Sequence, residues 1–339
     1  MLSPTAPTAA AYRRVLNLIG WSLVVFWGMF FLFTILDQYI FAEILTGKIG
    51  TALYGIFSSV CYMGAFFLAG VLFYRLNQKT PTQPVRFELN LPAITPLLIL
   101  GGLAVITAGA YVNSWFCTLI GYEIPADMLP QQDYNTPSVV ILYMTTAIAP
   151  AFAEEFLFRG VIYGNLHPFG RSQAILISAL LFSLMHQNIG QFFYTFVAGV
   201  VMAIMYELTG NIWCSVLFHL FNNEFSVFTE VLYYGGLGES VMPWLALWDA
   251  VIMVIGLVCI LFLIGYYMKK NKRIQGDESP SVFGAQTHAG LSLYDTPVDR
   301  NTFVWGVKAP GLIVFAALAI SSAISTWLII LFGDLEAFL

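Results

Sequence analysis

Glu154, Glu155 and Arg159 stand together inside an apolar run, Ala-Pro-Ala-Phe-Ala-Glu-Glu-Phe-Leu-Phe-Arg-Gly, residues 149–160. Glu155 and Arg159 are four residues apart and share one face of a helix, so they can pair and cancel a charge. Glu154 is turned about 100° from that face and lacks this partner. A carboxylate without a counter-charge in apolar surroundings gains proton affinity, which suits a general base or acid working near neutral pH. Pro150 takes away a backbone N–H four residues ahead of Glu154 and is expected to kink or open the helix locally.

Two further polar sets lie in apolar segments. His186 closes the run Phe182-Ser-Leu-Met-His186, and His219 opens His219-Leu-Phe-Asn-Asn223, where His219 and Asn223 are four apart on one face. Each set has a bland reading: a lone membrane histidine usually serves packing, and Glu155 with Arg159 can be a helix-locking ion pair. Inward polar residues from three neighbouring segments favour a site. Ionisable groups at the centre of a bilayer cost about 2.5–3.5 kcal/mol each on insertion scales and are functional candidates by default. His167 and His288 are expected on loop surfaces, and Glu207 and Glu224 near the interface, with Glu224 rotated off the His219–Asn223 face. The chain has no His-Glu-x-x-His, Gly-x-Ser-Gly or Gly-x-Gly-Asp motif, which removes a zincin-like helix pair, a serine nucleophile turn and the Gly-x-Gly-Asp carboxylate chemistry.

The elements that position these residues must be membrane helices. Hydrophobic residues make up 59% of the 339 and charged ones 10%, against about 25% charged in soluble domains. Mean hydropathy is +0.79. The net charge of -5 gives no sign of a nucleic-acid partner. A span needs about 20 apolar residues, and candidate spans fall near 16–36, 51–74, 92–116, 138–163, 172–189, 191–209, 211–230, 247–268 and 309–332. The fold class is all-α, a polytopic transmembrane bundle of about eight to nine helices. The first span is too long for a signal-peptide core, and no cleavage site follows it.

With the N-terminus cytoplasmic, twelve of the fourteen Lys and Arg fall in inside segments, as the positive-inside rule requires. Lys48 lies in an outer loop and Arg159 within a helix. The expected organisation is 1–137 as N-terminal helices, 138–230 as the core that carries the motifs, and 231–268 as an outer loop and helix. A polar cytoplasmic loop at 269–308 and a last helix in 309–339 complete it. Cys61, Cys117, Cys214 and Cys259 sit singly and read as small core hydrophobes. The expected location is the cell membrane.

Together, Glu154-Glu155-x-x-x-Arg159, Phe182-x-x-x-His186 and His219-x-x-x-Asn223 resemble the ABI or CPBP family, which contains type II CAAX prenyl endopeptidases and bacteriocin-processing proteins. The resemblance covers roughly 138–230. It implies an intramembrane endopeptidase acting on a membrane-associated peptide or protein. Glu154 and His186 would activate water, His219 and Asn223 would stabilise an oxyanion, and Glu155, Arg159 and Phe182 would support them. No cofactor is certain. Glu154, His186 and His219 also form a two-histidine, one-carboxylate set that suits zinc, while Asn223 beside His219 suits an oxyanion site better than a ligand shell. The alternatives are a catalytically silent scaffold or bacteriocin-immunity type protein, and a proton-coupled transporter. No internal repeat supports the transporter.

Overall fold

In a bilayer every backbone N–H and C=O must find a partner within the protein, so long apolar segments of this composition fold as helices. The structure, a computed structural model, describes residues 8–36, 42–80, 85, 87, 90–123, 134–275 and 299–332. Among the described residues there are helices and no strands. In chain order they are α1 (Ala9–Leu36), α2 (Ala42–Leu76), α3 (Thr95–Leu119), α4 (Thr136–Phe169), α5 (Arg171–Met185) and α6 (Phe192–Thr209), then α7 (Ile212–Leu232), α8 (Met242–Gln275), α9 (Arg300–Val307) and α10 (Pro310–Phe332). The protein is an all-α polytopic membrane bundle. Seven stretches among the described residues are long and apolar enough to cross a membrane, and one of them, Ile212–Lys269, holds both α7 and most of α8.

The segment expected as the fifth span departs from expectation. α5 has 15 residues, about 22 Å, short of a hydrocarbon core of about 30 Å. It stops because Gln187 takes a positive φ of 51° and Asn188 accepts from the Gly190 N–H at 2.9 Å, which starts a new turn. Asn113 of α3 supports that turn: its Nδ2 donates to the Gly190 carbonyl at 2.6 Å and its Oδ1 accepts from the Tyr194 N–H at 3.2 Å. The α5–α6 turn therefore has protein partners for its backbone, as a break in lipid requires.

α4 is a composite. Wide π turns at Tyr143–Ile148 and Phe156–Tyr163 flank the α-helical stretch Ala149–Glu155. The opening expected at Pro150 takes this form, a wide turn just ahead of the proline. α5 packs on α6, α3 on α6 and α8, and α1 on α2 and α10. The α5–α6 contact depends on Gly199, where a Cβ would sit 2.9 Å from the Ala179 Cα. α6 ends at Gly210 (φ 63°), and Asn211 caps α7 by accepting from the Trp213 N–H at 2.9 Å.

The segment read as a polar loop is partly helical, since α8 runs to Gln275 and α9 occupies Arg300–Val307. Residues 276–298 with His288, and Arg86, Asp127 and Asp133, lie outside the described residues, as do the side chains of Lys48, Lys270, Lys272 and Arg273. The cysteines are free thiols, with Cys214 and Cys259 buried.

Candidate active site

The acidic pair sits on the α-helical stretch between the two wide turns of α4. Glu155 and Arg159 are both 0% exposed and pair at 2.8 Å, as their spacing predicts. Arg159 also donates from Nη2 to the Gly199 carbonyl at 3.0 Å and lies over the Phe182 ring, 4.7 Å from its centroid. That carbonyl is within reach because Gly199 carries no side chain and α6 comes close. These contacts meet the charge and both terminal nitrogens of the buried guanidinium, which lowers its cost, while Nε makes no hydrogen bond among the described residues.

Glu155 does more than neutralise Arg159. The same Oε1 lies 3.1 Å from His219 Nδ1. A carboxylate paired with Arg only accepts, so the proton in this contact belongs to Nδ1, and Nε2 is turned towards Glu154. Nε2 stands 3.8 Å from Glu154 Oε2, too far for a direct hydrogen bond but within reach of one shared water. Glu154 is 4% exposed, and its Oε2 makes no hydrogen bond among the described residues. Its Oε1 accepts from the hydroxyl of Tyr62 on α2. Tyr62 is a site residue that the sequence did not reveal. It lies in an aromatic-rich apolar span, and nothing local marks it as different from its neighbours.

His186 Nδ1 is 2.8 Å from the Phe182 carbonyl; a carbonyl only accepts, so this nitrogen also carries the proton. The Phe182 ring packs edge-on to both imidazoles, 4.9 Å from His186 and 5.9 Å from His219 between centroids. Phe182 thus joins α5 to α7 and holds Arg159 from below. Glu154, Glu155, Arg159, Phe182, His186 and His219 form one connected cluster.

Asn223 bonds elsewhere. Its Nδ2 donates at 3.0 Å to the Thr146 carbonyl, two turns before Glu154. Pro150 has no N–H to offer that carbonyl four residues back, and the Asn223 amide takes its place. The Oδ1 of Asn223 accepts from Asn222 Nδ2 at 3.0 Å, and Asn222 Oδ1 accepts from the Tyr194 hydroxyl at 2.6 Å. The second amide hydrogen of Asn223 makes no bond among the described residues.

The zinc set is not assembled here: among the described residues no three His, Cys, Asp or Glu side chains are grouped to hold a metal ion. The Nδ1 of each histidine is held by Glu155 or a carbonyl, as in metal sites that bind through Nε2, so the misfit lies in the grouping alone.

A second polar cluster corrects one expectation. His167 is 3% exposed rather than at a loop surface, and Glu207 beside it is 8% exposed. Glu207 lies 3.0 Å from His167 Nε2 and 2.9 Å from Arg171 Nε, and it accepts from the Tyr163 hydroxyl. The reason is that α4 continues past Tyr163 through a tight turn at His167–Phe169, which folds His167 under α6. This cluster clamps the α4–α5 corner to the end of α6.

A large groove of about 1740 Å³ lies between α3, α7 and α8, and Leu103, Trp244, Trp248 and Phe225 are among its mostly apolar lining. Glu154, His186 and His219 do not line it; it touches the site's surroundings through Tyr194 and Asn222.

Residues 136–225, which hold every side chain of the cluster except Tyr62, match a known family model. That model is described as Type II CAAX prenyl endopeptidase Rce1-like. The match independently supports the resemblance read from the motifs. The chain is also similar to "Putative membrane peptidase YdiL" of Bacillus subtilis (strain 168), 27% identical over 95 residues, 28% of this chain and 39% of that protein. The chain therefore spans about two fifths of the length of this curated relative. No solved structure matches the chain.

Proposed function

We propose that the protein is an intramembrane endopeptidase that hydrolyses a peptide bond of a membrane-associated peptide or protein. The observation that carries this reading is the facing pair Glu154 Oε2 and His219 Nε2, 3.8 Å apart, each held from behind by a partner on another helix. A water between them meets a carboxylate able to take its proton. Glu154 acts as the general base and then delivers the proton it has taken from water to the leaving amine, while His186, with Nδ1 tied to the Phe182 carbonyl, orients the same water by accepting from it at Nε2. As the scissile carbonyl becomes tetrahedral, charge develops on its oxygen, and donors already in place stabilise it most effectively. His219 serves there from Nε2 when it is protonated, with Nδ1 held by Glu155. Asn223 serves through the amide hydrogen that Thr146 does not use. No step needs a metal. The arrangement works with the N-terminus cytoplasmic and the chain in the cell membrane, the orientation that the basic residues favour.

The test uses purified protein in lipid nanodiscs, wild type and Glu154→Gln, with a panel of membrane-anchored peptides that includes prenylated C-termini. Wild type should cleave at least one peptide, read by mass spectrometry, and Glu154→Gln should lower turnover roughly 100- to 10,000-fold, the usual worth of a general base. Equal cleavage by both proteins defeats the mechanism. Cleavage by neither leaves the silent scaffold as the better description.

A further inference from the structure

Tyr62 belongs to α2, outside the segment 136–225 that carries the family match. It nevertheless makes the one direct hydrogen bond to Glu154 among the described residues. We infer that Tyr62 is a positioning residue for the general base: its hydroxyl pins Glu154 Oε1 and so keeps Oε2 turned towards His219 and the reacting water. The inference rests on the peptidase reading and extends it to a helix that no motif marks.

The argument starts from the carboxyl group itself. The last torsion of a glutamate is broad and roughly two-fold, so an untethered carboxylate exchanges its oxygens and swings between orientations. Here the two oxygens have different surroundings. Oε1 receives the Tyr62 hydroxyl, while Oε2 is buried, free of hydrogen bonds among the described residues, and 3.8 Å from His219 Nε2. A charge-assisted O–H···O bond is among the stronger contacts a carboxylate makes, and it fixes which oxygen faces the imidazole.

The tyrosine is itself held. Its ring packs on Phe66 with centroids 4.8 Å apart and lies 6.3 Å from Phe30 on α1. Phe66 is fully buried, so the ring has a rigid wall behind it and the hydroxyl has a fixed address. Rate falls steeply with small displacements of a catalytic group, roughly 100-fold for about 1 Å. A residue that removes one degree of freedom from the base therefore acts on turnover rather than on substrate binding.

Tyr62→Phe deletes the hydroxyl and leaves the ring packing intact, and Phe66→Leu disturbs the packing while leaving the hydroxyl. Both are compared with wild type and Glu154→Gln on the peptide that wild type cleaves. Tyr62→Phe should lower kcat roughly 10- to 100-fold with KM within about two-fold, and should elute and melt like wild type. Phe66→Leu should lose thermal stability before it loses kcat. In addition, the infrared difference between wild type and Glu154→Gln isolates the Glu154 carboxyl band, and that band should shift in Tyr62→Phe. Full kcat and an unmoved band in Tyr62→Phe, in a preparation where Glu154→Gln is inactive, overturn the role of Tyr62 and leave the peptidase reading standing. Retained turnover in Glu154→Gln, or no turnover by wild type, overturns that reading and the role of Tyr62 with it.

Discussion

Replacing Glu155 by Gln separates the two members of the acidic pair by what they hold rather than by what they react with. Gln keeps an oxygen where Glu155 Oε1 now accepts from Arg159 Nη1 at 2.8 Å and sits 3.1 Å from His219 Nδ1, so the change removes charge more than contact. At 2.8 Å the attraction between unit charges is about 6 kcal/mol at an effective dielectric constant of about 20. The Gly199 carbonyl and the Phe182 ring still face the guanidinium and recover part of this, which brings the expected loss to about 3–5 kcal/mol, the range for breaking a buried pair from one side. Thermal unfolding in detergent, followed with a thiol-reactive dye that reports the exposure of buried Cys214 and Cys259, should fall by roughly 5–10 °C. Glu154→Gln leaves Arg159, Glu155 and His219 in place and should melt within about 2 °C of wild type while losing turnover. Equal destabilisation by the two substitutions would refute this division of labour.

Asn223→Leu should destabilise by about 1–3 kcal/mol by stranding the Thr146 carbonyl, and Pro150→Ala, which returns a backbone N–H four residues on, should recover much of that loss. A double-mutant cycle on melting temperature would check the coupling, and strictly additive effects would sever the two residues. A reporter inserted within 276–298 should be found in the cytoplasm and one in the loop that contains Glu239 outside; the reverse labelling would overturn the orientation.

The helices were legible because apolar length alone dictates them, and the Glu155–Arg159 contact because an i, i+4 spacing is a local geometric fact. The end of α5 was harder to see. The run 172–189 stays apolar enough to count as a span, and only the turn chemistry of Gln187, Asn188 and Gly190 breaks it. His167 was misplaced because short connections normally face water, whereas this one continues as a tight turn beneath α6. Tyr62 meets Glu154 across 92 positions of sequence, and its neighbours are as aromatic as it is, so no periodicity could single it out. The link from Glu155 to His219 was hidden in the same way: it joins two helices whose relative rotation no local spacing records.

The wide turn at Tyr143–Ile148 bears on how related chains should be aligned. A π turn holds one residue more than the α turn it replaces. Deleting one residue from this stretch would let α4 run as plain helix and leave Glu154 and Glu155 close to the faces they now present, because the wide turn absorbs the extra residue and the about 100° that it would add to a plain helix. Two chains that place the same acidic pair at the same point in space can thus differ by a one-residue gap here. Such a gap would mark where one of them took up the wide turn, and the pair itself would still correspond.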